Sequence, residues 1–301
     1  MANRELIVLG TAAQSPTADR GQSSYALRWD ERLYVFDPGE NTQRQMMRAG
    51  LHITRTRRVF ITHFHGDHCL GLPGLVQRWR LFGAGRRLAL HYPSWGQENL
   101  ERLLFGSEID FDLGIDHHPT EPGTTEEHDG LVVTALSLDH TVPAVGWRLE
   151  GPPAPHLLPE ELERLGIEGE AAGRLKREGS IRHQGRWVSI DEVSEVRPGL
   201  TFAFVMDTRV CDNAVELARG ADLAVFEATY RDEHLGLAAD HGHLTARQAA
   251  EMAARAGVRR LVLSHFSERY EDIESHGVEA RESLADVVAA RDLEVVGFPA
   301  T

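Results

Sequence analysis

The sequence predicts an α/β fold. Short apolar runs that are typical of buried strands alternate along the chain with segments of helical periodicity. Side chains able to bind a metal follow several of these runs, at the point where each predicted strand ends. Because ligands in α/β folds gather at the carboxyl ends of strands, the same pattern also predicts where the chemistry lies.

Length and charge limit the size and the partners of the protein. Its 301 residues suit one large domain or two small ones, and its hydrophobic content of 42% is ordinary for a globular core. The formal net charge of -14 argues against a general nucleic-acid coat protein, because phosphate contacts need cations. It is compatible with an enzyme that has a local basic feature and a bound divalent metal.

No segment predicts a membrane or secretory role. Apolar runs stay far below the roughly 18 residues of a transmembrane helix, and the first run is too short for a signal peptide. A cytoplasmic protein is therefore expected. Cys69 and Cys211 form no disulfide framework and are interpreted as buried, inert thiols, with a ligand role for Cys69 as the alternative.

Strands and helices are predicted from apolar periodicity, and their ends from turn and capping residues. Up to residue 149 the predicted elements are strands at 4–9, 24–29 and 32–36, a helix at 42–49, a strand at 58–61, a helix after 71–74, a strand at 88–92, a helix at 94–105, and strands at 131–138 and 145–149. Residues 107–130 are predicted to be loop and short strand, with His117, His118 and His128 on the surface.

Regular α/β structure is predicted to resume after residue 200. The predicted elements there are strands at 201–206, 223–226, 260–263 and 293–296, and helices at 215–218, 246–256 and 278–290. Thr245 is the expected N-cap of the helix at 246–256, and Gly257 is expected to end it.

Residues 150–199 differ in composition and are interpreted as an insertion or arm. Prolines open the segment, an acidic helix is predicted at 159–165, and glycines follow. Its second half is locally basic, with the cations Arg174, Lys176, Arg177, Arg182 and Arg186. A basic feature in an acidic protein is typical of an RNA-binding element, and a solvated, charged hairpin is the alternative.

The densest candidate site is the segment 63–68, His-Phe-His-Gly-Asp-His, which follows an apolar strand. Residues two apart on an extended strand end share a side, so His63 and His65 are expected to point the same way. The glycine provides a turn, and Asp67 and His68 return from the start of a helix. Four such nitrogen and oxygen donors suit zinc or another borderline metal, whereas a His-rich surface turn is the alternative.

Further donors follow other predicted strands, at His140, Asp207, Glu227 and His265. Even without Glu227, the seven donors are too many for one tetrahedral zinc. They suit two ions about 3.5–4 Å apart that share a carboxylate and a water. Such a pair lowers the pKa of the water and stabilises charge on an attacked phosphoryl group, which indicates a hydrolytic dinuclear site.

This motif and the order of the donors resemble the metallo-β-lactamase fold and, more closely, the ribonuclease Z family. The matching segments lie at 5–11, 36–45, 60–74, 139–140, 206–208, 227–229, 242–245 and 264–266, and the resemblance covers nearly the whole chain. The motif at 63–68 is common to the superfamily, whereas the segments at 39–43, 227–229 and 243–245 are more specific to ribonuclease Z. The resemblance implies a four-layer αββα sandwich, a single domain spanning 1–301, with a protruding arm inserted at about 150–199.

The resemblance also implies the ligands of two Zn²⁺ ions per subunit, with Mn²⁺ as a substitute. One zinc takes His63, His65 and His140, the other takes Asp67, His68 and His265, and Asp207 bridges them. The implied activity is that of an endoribonuclease that removes 3′ trailers from precursor tRNA and leaves a 3′ hydroxyl.

In the implied mechanism a metal-activated water attacks phosphorus, with Asp67 orienting it or acting as base. His243, held by Glu227, protonates the departing 3′ oxygen. Physical chemistry supports the second role independently, because the leaving oxygen needs a general acid and a carboxylate partner raises the pKa of a histidine. A helix-start histidine without a role is the alternative.

Several positions depart from the family pattern, and none of them is a predicted ligand. Gly21, Pro38, Asn41 and Leu244 stand where family members often have Asn, Cys, Gly and Ser. The family's arm binds the tRNA elbow and has a Gly-Pro-rich tip. The tip here is expected at 166–173, without a Gly-Pro step, so the arm is an expected tRNA-binding exosite with an atypical tip. The resemblance further implies a homodimer, in which the arm of one subunit could hold tRNA that the other cleaves.

Three other functions remain open from the sequence. One is a hydrolase of small esters or phosphodiesters on the same fold: a lactonase, thioesterase or phosphodiesterase. Another is a di-iron oxidoreductase, although such relatives typically carry Glu at the position of His65. The third is a non-catalytic RNA-binding relative, against which the complete donor set argues.

Overall fold

Two seven-stranded sheets form the framework of the chain in its computed structural model, which describes residues 4–83, 85–108 and 112–300. The strands are β1 (Arg4–Gly10), β2 (Ser24–Trp29), β3 (Arg32–Phe36), β4 (Thr56–Phe60), β5 (Leu88–Pro93), β6 (Ile115–Thr120), β7 (Thr125–His128), β8 (Leu131–Leu138), β9 (Ala144–Glu150), β10 (Ala154–Leu157), β11 (Ser180–His183), β12 (Arg186–Ser189), β13 (Ser194–Arg197), β14 (Thr201–Val205), β15 (Leu223–Glu227), β16 (Arg260–Ser264), β17 (Val287–Ala289) and β18 (Val295–Gly297). The first sheet has the order β18-β1-β2-β3-β4-β5-β6 and the second β17-β16-β15-β14-β9-β8-β7.

The α-helices are short. They are α1 (Thr42–Arg48), α2 (Gly66–Cys69), α3 (Leu72–Phe82), α4 (Gln97–Leu104), α5 (Pro159–Leu165), α6 (Gly169–Glu178), α7 (Asp212–Ala218), α8 (Leu235–His241), α9 (Ala246–Ala256) and α10 (Glu274–Ala280). Thr245 caps α9 as predicted, because its hydroxyl accepts from the Gln248 N–H while the Gln248 side chain accepts from the Thr245 N–H. Among the described residues, no helix is long and apolar enough to cross a membrane.

The chain divides into two compact units. The first comprises Met1–Glu126, Val133–Leu149 and Thr201–Thr301, and the second comprises Glu127–Val132 and Glu150–Leu200. The second unit therefore contains the whole segment that the sequence marks as an insertion.

The first unit has four layers. Aromatic side chains fill the space between the two sheets, with Phe36 of the first sheet 4.9 Å from Phe204 of the second and Phe60 5.1 Å from Trp147, measured between ring centroids. Side chains of α3 and α4 pack in the apolar core behind the first sheet, and those of α7, α9 and α10 in the core behind the second. The predicted αββα sandwich is thus confirmed.

One predicted helix was wrong in this unit. The helix predicted at 278–290 ends at Ala280, and residues 287–289 form β17, which pairs in parallel with β16. A sheet contact between distant segments overrides local helical periodicity there. The segment 107–130, predicted as loop and short strand, contains β6 and β7, each at one edge of its sheet.

The second unit has a small core of its own. Ile167, Leu175, Ile181, Val188 and Val193 are buried against one another. Residues 169–178, which include most of the tip expected at 166–173, form α6, a helix that was not predicted from the sequence. Leu175 anchors that helix in the core, and Gly179 ends it with φ of 74°.

Candidate metal centre

The candidate site lies where strands of the first unit end. Strands β14, β15 and β16 are parallel, so the residues that follow them meet at one edge of their sheet. His265 comes directly after β16, Asp207 follows β14 after one intervening residue, and Glu227 is the last residue of β15. The neighbouring sheet supplies the motif at 63–68, which follows β4 and forms α2.

A first group of possible ligands contains His63, His65, His140 and Asp207. The Nδ1 atom of His65 lies 3.0 Å from His63 Nε2 and 3.3 Å from His140 Nε2. Asp207 Oδ2 lies 3.6 Å from His63 Nε2 and 3.7 Å from His140 Nε2.

A second group contains Asp67, His68 and His265, all of them buried. Asp67 Oδ2 lies 3.3 Å from His265 Nε2 and 3.4 Å from His68 Nε2. Asp207 Oδ2 is 3.2 Å from His68 Nε2, so the same carboxylate faces both groups. All seven predicted ligands are therefore brought together.

The spacing of these atoms fits divalent metal ions. Ligand atoms about 2.1 Å from a tetrahedral centre are roughly 3.4 Å apart, and the separations given above scatter around that value. Within the described residues, the buried atoms His68 Nε2 and Asp207 Oδ1 have no hydrogen-bond partner. Buried polar atoms normally have one, so these two atoms indicate a ligand that they could bind.

The charges of the site point the same way. Burial lowers the pKa of His63, His65 and His140, which keeps these imidazoles neutral and able to bind a cation. Burial also disfavours the charged form of His68, yet three neighbouring carboxylates raise its pKa well above the ordinary value. The second group therefore favours positive charge, which a metal ion would supply.

Four imidazoles are oriented by partners on their outer nitrogen. The Nδ1 atoms of the four are paired as follows: His63 with Thr62 Oγ1 at 3.0 Å, His68 with Asp37 Oδ2 at 2.8 Å, His140 with the Gly242 carbonyl at 2.8 Å, and His265 with Thr229 Oγ1 at 2.8 Å. Such partners fix the tautomer of a ligand histidine, and here they leave each Nε2 for a metal. His65 differs, because its Nδ1 faces the other ligands.

The backbone at the site is held in an uncommon conformation. Asp37, Asp207 and His265 have φ values of 43°, 52° and 60°, in the left-handed region that L-residues rarely adopt. Each such residue costs on the order of 1–3 kcal/mol and persists only where its surroundings determine it. This conformation directs the carboxylates of Asp37 and Asp207 and the imidazole of His265 into the site, close to the ends of their strands.

A histidine–carboxylate pair adjoins the second group. His243 Nδ1 lies 3.0 Å from Glu227 Oε1, and its ring centroid lies 5.4 Å from that of His265. Burial disfavours the charged imidazole, but Glu227 and Asp207 outweigh it and raise the pKa of His243 to about 9. Glu227 is held in turn by Thr229 Oγ1, which donates to its Oε2 at 2.7 Å.

Six of the residues described above line one cavity of about 790 Å³: His65, Asp67, His140, Asp207, His243 and His265. Gln14, Tyr230 and Arg269 line the same cavity. The Arg269 guanidinium lies over the Tyr230 ring at 5.2 Å, and its Nε donates to Ser267 Oγ at 3.2 Å. Arg269 is exposed and forms no ion pair within the described residues. A cation of this kind beside a metal site can bind a phosphate oxygen.

Sequence reasoning missed several contributors to the site. Asp37 and Gln14 were given no role, although the Gln14 N–H donates to Asp67 Oδ2 at 2.7 Å and Asp37 contacts His68. Thr229 lies in a segment matched to the family, and Arg269 follows another such segment, so both could have been proposed from the resemblance.

Other candidate residues lie apart from the site. His117 is exposed, whereas His118 is half-buried with its ring stacked 4.5 Å from that of His91. Burial raises the pKa of the Cys69 thiol to about 12, and this thiol donates to the His65 carbonyl. Cys211 is only partly buried, which corrects the expectation of full burial.

The basic residues of the insertion lie on α6 and on the β11–β12 hairpin. Arg174 pairs with Glu178 at 3.2 Å and Arg186 with Glu192 at 2.8 Å. Lys176, Arg177 and Arg182 form no ion pair within the described residues. Two of the five predicted cations are therefore neutralised by neighbours.

Comparison with known proteins gives consistent matches. The metallo-beta-lactamase superfamily model matches residues 17–186, and a beta-lactamase superfamily domain model matches residues 169–266. The chain is 47% identical over 302 residues to a protein named ribonuclease Z from Nocardia farcinica, covering 99% of both chains. It is 46% identical over 302 residues to another of that name from Streptomyces coelicolor, also covering 99% of both. The crystal structure of human tRNase Z, short form, is similar with a TM-score of 0.69 and 26% identity, covering 98% of this chain and 100% of that one.

Proposed function

Since the chain belongs to the ribonuclease Z family of the metallo-beta-lactamase superfamily, we propose that it is an endoribonuclease that removes the 3′ trailer of precursor tRNA and leaves a 3′ hydroxyl. One observation supports the proposal: Asp207 faces both groups of possible metal ligands, and His243, which pairs with Glu227, lines the same cavity as members of both groups. This arrangement offers both activation of a nucleophile and a proton for an alkoxide leaving group.

Two Zn²⁺ ions per subunit are the proposed cofactors, with Mn²⁺ as a substitute. His63, His65 and His140 would hold one ion, Asp67, His68 and His265 the other, and Asp207 both. The ions, when bound, lower the pKa of a shared water and stabilise negative charge on phosphoryl oxygens. The nitrogen-rich donor set suits zinc.

Asp67, His243 and Arg269 have further roles in the proposed reaction. Asp67, fixed by the Gln14 N–H, orients the attacking water or accepts its proton. His243 donates a proton to the departing 3′ oxygen, and Glu227 holds its Nδ1 so that the other ring nitrogen is available. Arg269, which lines the cavity, binds a phosphate oxygen of the substrate.

Cleavage of a 3′-extended precursor tRNA tests the proposal directly. Protein loaded with zinc or manganese should cut after the discriminator base, and end mapping should find a 3′ hydroxyl. A chelator should abolish the cleavage, and added metal should restore it. Intact precursor together with rapid hydrolysis of a small ester or lactone would instead favour the small-molecule hydrolase.

The role of His243 has its own test. His243→Ala should lower kcat for precursor tRNA by about 10²–10⁴-fold, the usual contribution of a general acid. It should slow bis(4-nitrophenyl) phosphate hydrolysis far less, since 4-nitrophenolate leaves without protonation. Metal content should stay unchanged. An equal loss on both substrates would contradict a proton-donor role.

We further propose that the insertion at 150–199 contacts the RNA. Arg182 and Trp187 are cross-strand partners on the β11–β12 hairpin, and Trp187 is 68% exposed. Partners in a strand pair lie on the same face, so an unpaired cation and an aromatic ring are presented together. Proteins bind RNA with this combination, through a phosphate contact and base stacking. Sequence reasoning named Arg182 but missed Trp187.

A homodimer in the cytoplasm is the proposed state. Exposed apolar side chains on α1 and α3 support it, since Met47, Leu81 and Phe82 are 56%, 74% and 56% exposed. Arg78 connects two of them, because it contacts Met47 Sδ and lies over the Phe82 ring. Light scattering should give a dimer that Leu81→Glu dissociates and the matched control Val278→Glu on α10 does not. A wild-type monomer would contradict the dimer.

A further inference from the structure

A single guanidinium binds the loop that follows the ligand His265. Arg20 Nη2 donates to the carbonyls of Ser267 and Tyr270 at 3.2 and 3.0 Å, and its Nη1 donates to that of Phe266 at 3.5 Å. All three acceptors belong to the segment 266–270. One side chain, nearly 250 residues away in sequence, thus holds both ends of this short loop.

The loop connects Arg20 to the substrate side of the cavity. Ser267, whose carbonyl accepts from Arg20, also accepts from Arg269 Nε through its hydroxyl. The Arg269 guanidinium then extends over the Tyr230 ring into the cavity that contains the metal ligands. Arg20 is itself outside that cavity and lines a separate one of about 600 Å³ behind the loop.

The surroundings of Arg20 show that its bonds serve the loop. It is half-buried and has no carboxylate at ion-pair distance within the described residues. Asp292 is the carboxylate whose charge most favours the Arg20 cation. Its oxygens accept hydrogen bonds from Thr11 Oγ1, the Gly21 N–H and Gln45 Nε2 instead. A partly desolvated cation that directs its donors to three carbonyls fixes backbone rather than balancing charge.

We propose that Arg20 is a positioning residue for catalysis: it fixes the 266–270 loop and thereby holds Arg269 where the substrate phosphate binds. The inference rests on the proposed function, in which Arg269 contacts the substrate. Arg20 acts through Arg269 and does not touch the RNA. Its loss therefore weakens binding of the substrate without changing the proton donor or the metal ligands.

A double-mutant cycle between Arg20→Gln and Arg269→Gln tests this, with KM and kcat measured on precursor tRNA. Arg269→Gln should raise KM about tenfold, the effect of one lost charge-assisted bond. Arg20→Gln should raise KM about three- to tenfold with little change in kcat, and should add almost nothing in the Arg269→Gln background. Metal content and the midpoint of thermal unfolding are measured for every variant.

Two further variants keep the test decisive. Arg20→Lys retains the charge but cannot reach three carbonyls at once, so KM should rise by an intermediate factor even if Arg20→Gln folds poorly. Arg291→Gln is the matched control, because Arg291 is exposed and lines the same cavity of about 600 Å³ as Arg20. Its KM should equal that of the wild type.

The outcomes separate the inference from the proposed function. If Arg20→Gln raises KM equally in both backgrounds, or leaves the wild-type KM unchanged, Arg20 does not act through Arg269. Loss of bound metal in Arg20→Lys would likewise overturn the inference, since the loop would then serve His265. If Arg269→Gln itself leaves KM unchanged, or precursor tRNA is not cleaved, the proposed function fails first.

Discussion

The edge that carries the metal ligands and the inserted second unit use charge in opposite ways. At the edge, Asp37, Asp207 and Glu227 are buried, and histidines surround or contact each carboxylate. In the second unit the charges are exposed and pair with close neighbours, as Arg174 does with Glu178 one helical turn away. The buried charges are held in fixed positions, whereas the exposed charges can rearrange.

This difference determines which substitutions should have a large effect. Buried charges interact strongly and lose much when one partner is removed, whereas exposed pairs contribute little and are screened by salt. Substitutions of the metal ligands should therefore lower turnover on every substrate. Substitutions in the second unit should change only the binding of a large, charged substrate.

Asp207→Asn should have the largest effect. Asparagine tolerates the left-handed conformation that Asp207 adopts, with φ of 52°, so the substitution isolates the loss of charge. Turnover of precursor tRNA and of bis(4-nitrophenyl) phosphate should fall by more than about 100-fold, the upper range for losing an outer-shell partner. Bound metal should fall too, as measured by mass spectrometry. Asp212→Asn, on α7, is the control. If Asp207→Asn keeps full metal content and turnover, the assignment of Asp207 as a bridging ligand is wrong.

Thr229→Val should have the next largest effect. The Thr229 hydroxyl donates to Glu227 Oε2 and accepts from His265 Nδ1, so it connects the proton donor's carboxylate to a metal ligand. Valine keeps the shape and removes both bonds. Apparent metal affinity should fall by about 10–100-fold, as is usual for an outer partner of a ligand histidine. Thr229→Ser keeps the hydroxyl and should retain the metal affinity. If Thr229→Val and Thr229→Ser have the same metal affinity, the hydroxyl does not contribute to metal binding.

Much of the edge could be predicted from the sequence because its signals are local. An apolar run shortly precedes each ligand or ligand motif, and the rule that ligands gather at strand ends converts that pattern into a site. The capping residues of α9 predicted its start in the same way. These features depend on a few neighbouring residues, which a sequence displays.

The missed features depend on contacts between distant segments. Asp37 orients His68, 31 residues away, and Arg20 binds carbonyls nearly 250 residues away, so neither role has a local pattern. Residues 287–289 became a strand through pairing with β16, against their helical periodicity. In the second unit no local pattern predicted α6, and the burial of Leu175 stabilises that helix.

Arg182→Gln should have a moderate effect that is confined to RNA. Because this exposed side chain forms no ion pair within the described residues, its charge is available to a phosphate. Its loss should raise KM for precursor tRNA several-fold and reduce the slope of log affinity against log salt by about one. Hydrolysis of bis(4-nitrophenyl) phosphate should be unchanged. An unchanged salt slope would remove Arg182 from the RNA contact.

Arg174→Gln should have the smallest effect and makes a matched pair with Arg182→Gln. The two variants remove the same group from the same unit, but the Arg174 guanidinium already contacts both carboxylate oxygens of Glu178, at 3.2 and 3.3 Å. An exposed pair of this kind contributes little to the stability of a helix, so the unit should stay folded. KM for precursor tRNA should stay within about twofold of the wild type, because a paired cation attracts phosphate weakly. If both variants weaken RNA binding equally, the net charge of the second unit, rather than its unpaired side chains, determines binding.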